Sequence, residues 1–150
     1  MKDLIVKNIN EIEPIKVKGN GGKSEFFAKP VVPYEDIASC SCAVIEVSVG
    51  QQSYSHHWHE RTEEIFYIIS GVGKLRHYDG ERQVRAGDVL CFPTGEKGVH
   101  SIANASDSEP LIYLDIATNR PKVDIAMLPD TNQVIFYGEH VKETILDMPK

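Results

Sequence analysis

Short runs of apolar and β-branched residues, separated by glycine, proline and charged positions, fill the middle of the chain. The run 65–69 holds three isoleucines and two aromatic residues in five consecutive positions, which is typical of a β-strand. No stretch in this region shows the apolar period of about 3.6 residues that an amphipathic helix requires. The other runs of this kind are 43–49, 72–78, 81–85, 89–92, 99–103 and 111–117. Strands this short and this closely spaced predict an antiparallel barrel or sandwich.

Turn residues indicate how two of these runs connect. Asp79 and Gly80 separate the run 72–78 from the run 81–85. An Asp-Gly dipeptide between two β-rich runs is a strong signal of a tight hairpin, because both residues tolerate the left-handed backbone that such a turn needs. The sequence therefore predicts that these two runs pair as neighbouring antiparallel strands.

The two ends of the chain are less regular than its middle. The run 4–9 fits either a strand or a short helix, because its periodicity does not decide between them. A β-like run at 133–137 lies in the last part of the chain, which we expect to wrap over the barrel. We expect a single domain over residues 1–150. Its expected parts are a barrel core at about 40–118, an N-terminal arm at 1–39 and a C-terminal tail at 119–150.

Composition narrows the classes of partner. Of the 150 residues, 41% are hydrophobic and 25% are charged, as in soluble globular domains. The net charge of −6, without a cluster of Lys or Arg, argues against nucleic acid as a partner. No apolar run approaches the roughly 20 residues of a membrane span, and the N-terminus lacks a signal peptide's apolar stretch. Three cysteines are too few for a disulfide framework, so we expect a cytoplasmic protein, with Cys91 buried as an inert thiol.

Histidines and one acid are the residues with the clearest chemistry. His57 and His59 point to one face of a strand, because side chains alternate with a period of two. The polar segment 60–63 can turn the chain so that Glu64 opens the next antiparallel strand and faces both histidines. His100 would reach the same point from a later strand. The sequence therefore predicts a site of three imidazoles and one carboxylate in the mouth of a barrel.

Two segments, 50–71 and 87–104, resemble the two motifs of the cupin superfamily. The first contains a glycine, a short spacer, the His-Trp-His sequence, an acid and a second glycine, and the second contains glycine, proline, histidine and asparagine in the family's order. Two spacers, before His57 and before His100, are longer than the family pattern. The matching positions are Gly50, His57, His59, Glu64 and Gly71 in the first motif, and Gly87, Pro93, Gly95, His100 and Asn104 in the second. The His-Trp-His variant and the long tail resemble small single-domain bacterial cupins.

The resemblance implies a fold and an assembly. The implied fold is an all-β cupin-type jelly-roll barrel, or double-stranded β-helix, with short N- and C-terminal extensions. The implied ligands of one divalent metal ion per chain are His57, His59, Glu64 and His100. Single-domain cupins often pair through exchanged N-terminal strands, so we expect a homodimer in which the run 4–9 takes part.

Three neighbouring residues offer alternative assignments. Glu63 is the alternative to Glu64, although the spacing to Gly71 favours Glu64. His56 points away from His57 on a regular strand and is expected at the surface or rim. His77 lies on a predicted barrel strand, where an interior pocket role and a structural role are both open.

The four predicted metal ligands limit which metals and small molecules can bind, but they do not identify a reaction. Imidazole and carboxylate donors suit Mn, Fe, Co, Ni, Cu or Zn. One carboxylate against a divalent ion leaves a net charge of about +1, so we expect a small anionic ligand: a sugar, a sugar phosphate or a carboxylate. A metal-dependent isomerase, dioxygenase or decarboxylase needs a further titratable group in the pocket, whereas a non-catalytic binding or sensing module does not. Candidates for the pocket are Tyr54, Phe66, His77, Tyr113 and Asp115.

Overall fold

Almost every regular element of the chain is a β-strand. The computed structural model describes residues 3–19, 24–33, 39–118, 123–138 and 141–149. Within these ranges the helical parts are two single-turn 3₁₀ segments, Ile9–Glu11 and Glu96–Gly98. The strands are β1 (Ile15–Lys18), β2 (Glu25–Val32), β3 (Cys40–Val47), β4 (Trp58–His59), β5 (Glu64–Ser70), β6 (Val72–His77), β7 (Gly80–Arg85), β8 (Val89–Phe92), β9 (His100–Asn104), β10 (Leu111–Thr118), β11 (Asp124–Leu128), β12 (Gln133–Gly138) and β13 (Val141–Asp147). The all-β fold class is confirmed.

The described strands form three sheets in which every pair of neighbours is antiparallel. The largest sheet has the order β1-β2-β3-β10-β5-β8, and the others are β13-β12-β11-β4 and β7-β6-β9. In the largest sheet, β10 lies between β3 and β5, so strands that are distant in sequence are neighbours in space. These crossing connections are those of a jelly-roll barrel.

Alternation along β5 decides which side chains enter the barrel. Glu64, Phe66 and Ile68 are buried, whereas Ile65 and Tyr67 between them are exposed. Apolar side chains from the facing sheets close over this buried row and form one core. Glu64 therefore lies on the inward face, at the end of a row whose other members are apolar.

The hairpin predicted from Asp79 and Gly80 is confirmed, with β6 and β7 paired and His77 opposite Gly80.

The segment around the first histidine pair differs from the expectation. Only Trp58–His59 forms a strand, and this short β4 pairs with β11 rather than with β5. The strands of the C-terminal tail thus form a sheet with β4. The expected hairpin between β4 and β5 is not formed.

The N-terminal run 4–9 forms no strand in the described residues, and only its last residue enters the 3₁₀ segment Ile9–Glu11. Lys29 on β2 donates a hydrogen bond from Nζ to the carbonyl oxygen of Ile9 at 3.1 Å, which ties the segment before β1 to the largest sheet. Among the described residues, no helix has the length and apolar character that a membrane span requires.

Candidate metal centre

His57 and His100 lie opposite each other on two extended segments. Each donates its backbone N–H to the carbonyl oxygen of the other, at N–O distances of 3.0 and 2.9 Å. His100 opens β9, whereas His57 comes directly before β4. The pairing places the two rings side by side, with centroids 4.7 Å apart, and the His59 ring lies 4.9 Å from that of His57. Three imidazoles from two segments therefore form one cluster.

The Nε2 atoms of the three histidines converge on one oxygen atom, Oε2 of Glu64. Their distances from it are 3.8 Å for His57, 3.6 Å for His59 and 3.3 Å for His100. The ligand atoms of His57, His59 and Glu64 all lie within 4.8 Å of one another. Donors that each bind a common ion at about 2.0–2.2 Å must lie this close together. Three of the sequence-predicted ligands, His57, His59 and Glu64, therefore have the spacing of a metal site, and His100 Nε2 approaches the same carboxylate oxygen at 3.3 Å.

Hydrogen bonds fix the orientation of all three rings. The Nδ1–H of each ring donates to a backbone carbonyl or a carboxylate. The acceptors are Ser55 O for His57 at 2.7 Å, Asp124 Oδ2 for His59 at 2.6 Å, and Gly98 O for His100 at 2.8 Å. A proton on Nδ1 leaves the lone pair of Nε2 free, and this is the arrangement that metal-binding histidines use.

Burial keeps two of the imidazoles neutral. Burial, followed by the charge of a neighbouring histidine, lowers the pKa of His57 from 6.5 to about 3 and the pKa of His100 well below 6.5. At His59, burial lowers the pKa, but the hydrogen bond to Asp124 and the charge of Glu64 outweigh burial and raise it. Burial also raises the pKa of Glu64, against the opposing charge of His59. Neutral imidazoles are the form that binds metal ions.

Two polar atoms in the centre of the cluster make no hydrogen bond to any described residue. Glu64 Oε2 and His100 Nε2 are both buried. A buried polar atom without a partner lowers the stability of the folded protein by about 1–3 kcal/mol, so these two atoms are destabilising unless another group binds them. A divalent cation would satisfy a carboxylate oxygen and an unprotonated imidazole nitrogen together. The residues present therefore fit a divalent transition-metal ion.

Asp124, on β11, is a site residue that the sequence did not reveal. Its Oδ1 accepts a hydrogen bond from the backbone N–H of Arg61 at 2.9 Å, in addition to the bond from His59. Burial raises the pKa of Asp124, but hydrogen bonds from His59 and Thr62 outweigh burial and lower it. The carboxylate thus stays charged beside His59. No sequence pattern close to Asp124 indicates its role, because β11 reaches the metal centre only by pairing with β4.

A cavity of about 350 Å³ lies beside the cluster. His57, His59 and Glu64 form part of its wall, so three of the four expected ligands face it. The other described lining residues are Pro30, Val32, Pro33, Ser41, Cys42, Ala43, Tyr54, Thr62, Asp115, Ala117, Thr118, Asp124, Tyr137 and Glu143. This volume accommodates a small metabolite.

Of the five residues expected in the pocket, Tyr54 and Asp115 line this cavity. Phe66 and Tyr113 are not among its described lining residues and pack in the core, with ring centroids 4.6 Å apart. His77 lines a different cavity. Tyr113 and Asp115 share the inward face of β10, and only Asp115 lies close enough to the end of the strand to reach the opening.

Asp115 adds a carboxyl group that is not among the expected metal ligands. Burial, and then the negative charge of Glu64, raises the pKa of Asp115 well above 3.8. A protonated carboxyl can donate one hydrogen bond and accept others. The cavity thus contains a group that can hold a proton beside the cluster.

Residues 43–117 match the family model of the cupin domain. This range spans both histidine segments and runs from β3 to β10.

Individual relatives agree with this match. A probable oxalate decarboxylase from Arthroderma benhamiae is 30% identical over 125 residues, which are 80% of this chain and 30% of that protein. A structure of a predicted oxalate decarboxylase from Thermotoga maritima has a TM-score of 0.67 and 28% identity, covering 75% of this chain and 97% of its own. A putative sugar phosphate isomerase from Acidithiobacillus ferrooxidans has a TM-score of 0.81 at 21% identity, covering 93% and 87%, and this likeness concerns the fold alone.

The chain spans about 30% of the length of the curated relatives that it matches. Its likeness to them therefore covers only a part of each of those longer proteins. The strand order, the two histidine segments and the matching family model together show that the chain belongs to the cupin domain family.

Proposed function

We propose that His57, His59, Glu64 and His100 bind one divalent transition-metal ion per chain, and that the ion holds a small carboxylate in the adjacent cavity. The observation that carries this proposal is the approach of three Nε2 atoms to Glu64 Oε2 at 3.3–3.8 Å, each on a ring fixed through Nδ1. The donor set suits Mn, Fe, Co, Ni, Cu or Zn.

The lining of the cavity favours a carboxylate over a sugar phosphate. None of its described lining residues is Lys or Arg, so they offer no second cation for a phosphate. A divalent ion with one bound carboxylate keeps a net charge of about +1, which attracts an anionic ligand such as a carboxylate. The oxalate decarboxylases among the relatives support the same class of ligand.

A catalytic role is favoured over passive binding because Asp115 and Tyr54 face the cavity. Decarboxylation and isomerisation both need a group that delivers or removes a proton. Asp115, whose pKa is raised by burial, holds a proton in this position and would donate it to the ligand. A divalent ion bound beside it would polarise the oxygens of the ligand.

Elemental analysis of protein purified without an affinity tag tests the metal site. We expect one equivalent of a transition metal in the wild type and none in the double variant His57→Ala, His59→Ala. His77→Ala is the matched control, because His77 lies outside the cavity, and it should keep its metal. Equal metal content in the double variant and the control would show that the ligands are misassigned.

Oxalate is the first ligand to test, with the Mn²⁺-loaded protein and water proton relaxation as the readout. Oxalate that binds the ion displaces its water and lowers the relaxation rate. Release of carbon dioxide in the wild type, and its loss in Asp115→Asn with metal and oxalate binding retained, would support a proton-donating role. Oxalate binding without turnover in the wild type would favour the non-catalytic module instead.

We also propose a homodimer that forms through the outer apolar face, defined as Ile65, Tyr67, Ile69 and Val89. These four side chains are exposed on β5 and β8, where Tyr67 pairs with Val89. Contiguous apolar surface of this kind is typical of an interface. The N-terminal run offers complementary apolar groups, with Leu4 88% and Val6 82% exposed. Exchange of the two N-terminal runs 4–9 in a symmetric pair would cover both surfaces.

Light scattering after gel filtration tests the dimer. The wild type should have twice the mass of the chain, whereas Tyr67→Glu should be a monomer with its metal content unchanged. Tyr78→Glu, at an exposed tyrosine in the turn between β6 and β7, is the matched control. A wild-type protein that is monomeric would contradict the proposed homodimer. The cytoplasmic location, and the absence of nucleic-acid and membrane partners, stay predictions.

A further inference from the structure

A cavity of about 200 Å³, the side cavity, adjoins the cavity of about 350 Å³ beside the metal centre, the metal cavity. The two have four described lining residues in common, which are Tyr54, His57, Tyr137 and Glu143. The side cavity is smaller than the roughly 300–1,000 Å³ of an independent small-molecule site. Because it shares an expected metal ligand with the metal cavity, it is an extension of that cavity.

Aromatic rings line the junction of the two cavities. The ring of Tyr54 contacts that of Phe26, which lines the side cavity, edge to face with centroids 4.6 Å apart. The Tyr54 centroid also lies 6.0 Å from that of His57. Tyr137 lies at the same junction, with its ring centroid 6.4 Å from that of His59. A ligand that extends from the metal centre into the side cavity therefore passes these two tyrosines.

The inward face of β11 and β12 becomes apolar with distance from the metal centre. Tyr137 is paired with Asp124, whose carboxylate accepts the hydrogen bond from His59. The next pair on the same face is Ile135 and Ala126, because side chains on one face of a strand are two residues apart. Ile135 is among the described lining residues of the side cavity and not of the metal cavity. The surroundings of a ligand thus change from polar to apolar in this direction.

Apolar side chains in the side cavity still expose surface that a ligand can cover. Val17, Ile135 and Tyr137 are half-buried, and Tyr54 is 36% exposed. Phe26, by contrast, is buried, and it supports the Tyr54 ring instead of offering surface. Covering the four partly exposed side chains removes apolar surface from water, which favours an apolar group in this position.

Two charged side chains also line the side cavity. Lys18, at the end of β1, and Glu143, on β13, are both exposed. Exposed charges are screened by water and salt, and these two have opposite signs, so they select weakly for a charged group. The partly exposed apolar side chains therefore decide what the side cavity holds.

We propose that the ligand of the metal centre is a carboxylate that carries an apolar group, and that this group occupies the side cavity. The inference rests on the proposed function, because the carboxylate is the end that the metal centre would hold. The apolar group would lie against Val17 and Ile135, beyond the rings of Tyr54 and Tyr137. Oxalate, which has no apolar group, would occupy the metal cavity alone.

Isothermal titration calorimetry of the Zn²⁺-loaded protein with two 2-oxo acids tests the proposal. Pyruvate and phenylpyruvate have the same acid end, and only phenylpyruvate carries an aromatic ring. We expect phenylpyruvate to bind at least about tenfold more tightly than pyruvate. NMR of the methyl groups in the same protein, isotope-labelled, should show shifts at Val17 and Ile135 that phenylpyruvate causes and pyruvate does not.

A variant that fills the side cavity gives a second test. Ile135→Phe places a larger side chain there, so the ratio of the affinities for phenylpyruvate and pyruvate should fall to near one. Val134→Phe is the matched control, because Val134 is half-buried on the opposite face of β12 and outside the described lining of the side cavity. It should keep the ratio of the wild type.

Three results would overturn the proposal. One is equal affinity of the wild type for pyruvate and phenylpyruvate, and another is an equal affinity ratio in Ile135→Phe and Val134→Phe. The third is tighter binding of the dicarboxylate 2-oxoglutarate than of phenylpyruvate, because it would assign the side cavity to a second acid group beside Lys18.

Oxalate binding, measured on the same samples, reports separately on the proposed function. Oxalate that binds to protein without a preference between the two 2-oxo acids contradicts the side-cavity proposal alone. Protein that contains the metal but binds neither oxalate nor a 2-oxo acid contradicts the proposed function itself.

Discussion

His59 and Asp124 are joined by a hydrogen bond of 2.6 Å between Nδ1 and Oδ2, although they belong to opposite parts of the chain. The bond holds the ring so that its Nε2 faces Glu64. A carboxylate in this position also raises the basicity of the imidazole. The C-terminal tail thus supports a histidine of the first motif.

Asp124→Asn tests this support. The variant keeps the size of the side chain but removes its charge, so we expect metal affinity to fall by about 10- to 100-fold. Competition with a chelating dye measures the affinity. Asp130→Asn is the control, because Asp130 pairs with Arg76 at the surface. Equal affinities in the two variants would mean that Asp124 does not act on the site.

The pKa values of the buried imidazoles predict an unusual titration in the metal-free protein. Because the pKa of His57 is lowered to about 3, its ring should stay neutral as the pH falls from about 8 to about 5, and the ring of His100, whose pKa also lies well below 6.5, should take up its proton at a lower pH than an ordinary histidine. The raised pKa of His59 predicts that this ring takes up its proton above pH 6.5. Ring ¹³C chemical shifts measure each titration. A midpoint near 6.5 for His57 would contradict the buried, neutral ring.

Neighbouring isoleucines on β5 test the alternation that places Glu64. Ile68 is completely buried, and Ile69 is 40% exposed on the opposite face. Ile68→Ala should lower the free energy of unfolding by about 2–5 kcal/mol, because it leaves a cavity in the core. Ile69 belongs to the proposed dimer face, so both variants are made in the monomeric Tyr67→Glu background, where Ile69→Ala should cost less than about 1 kcal/mol. Urea unfolding at one protein concentration measures both, and similar losses would mean that the strand does not present alternate faces as described.

Local features of the sequence were sufficient for several parts of the fold. The β-rich composition of 65–69 and the Asp79-Gly80 turn depend on residues close in sequence, and both agree with β5 and with the β6–β7 hairpin. His57, His59 and Glu64 lie close together because the two-residue spacing of the histidines and the inward face of Glu64 follow from strand geometry.

Long-range pairing accounts for what the sequence did not reveal. Asp124 reaches His59 only because β11 pairs with β4, and no local pattern encodes that register. His56 was expected at the surface or rim but is 7% exposed. Cys91 was expected to be buried but is exposed, because its neighbours Leu90 and Phe92 take the inward positions on β8. Strand alternation is local, but which face is covered depends on distant elements.

Anomalous X-ray diffraction from crystals of the metal-loaded protein, recorded at the absorption edge of the bound metal, tests the central claim most directly. We expect one anomalous peak per chain, at about 2.0–2.2 Å from the Nε2 atoms of His57, His59 and His100 and from a carboxylate oxygen of Glu64. Absence of a peak among these four side chains, or a peak bound elsewhere, would contradict the account.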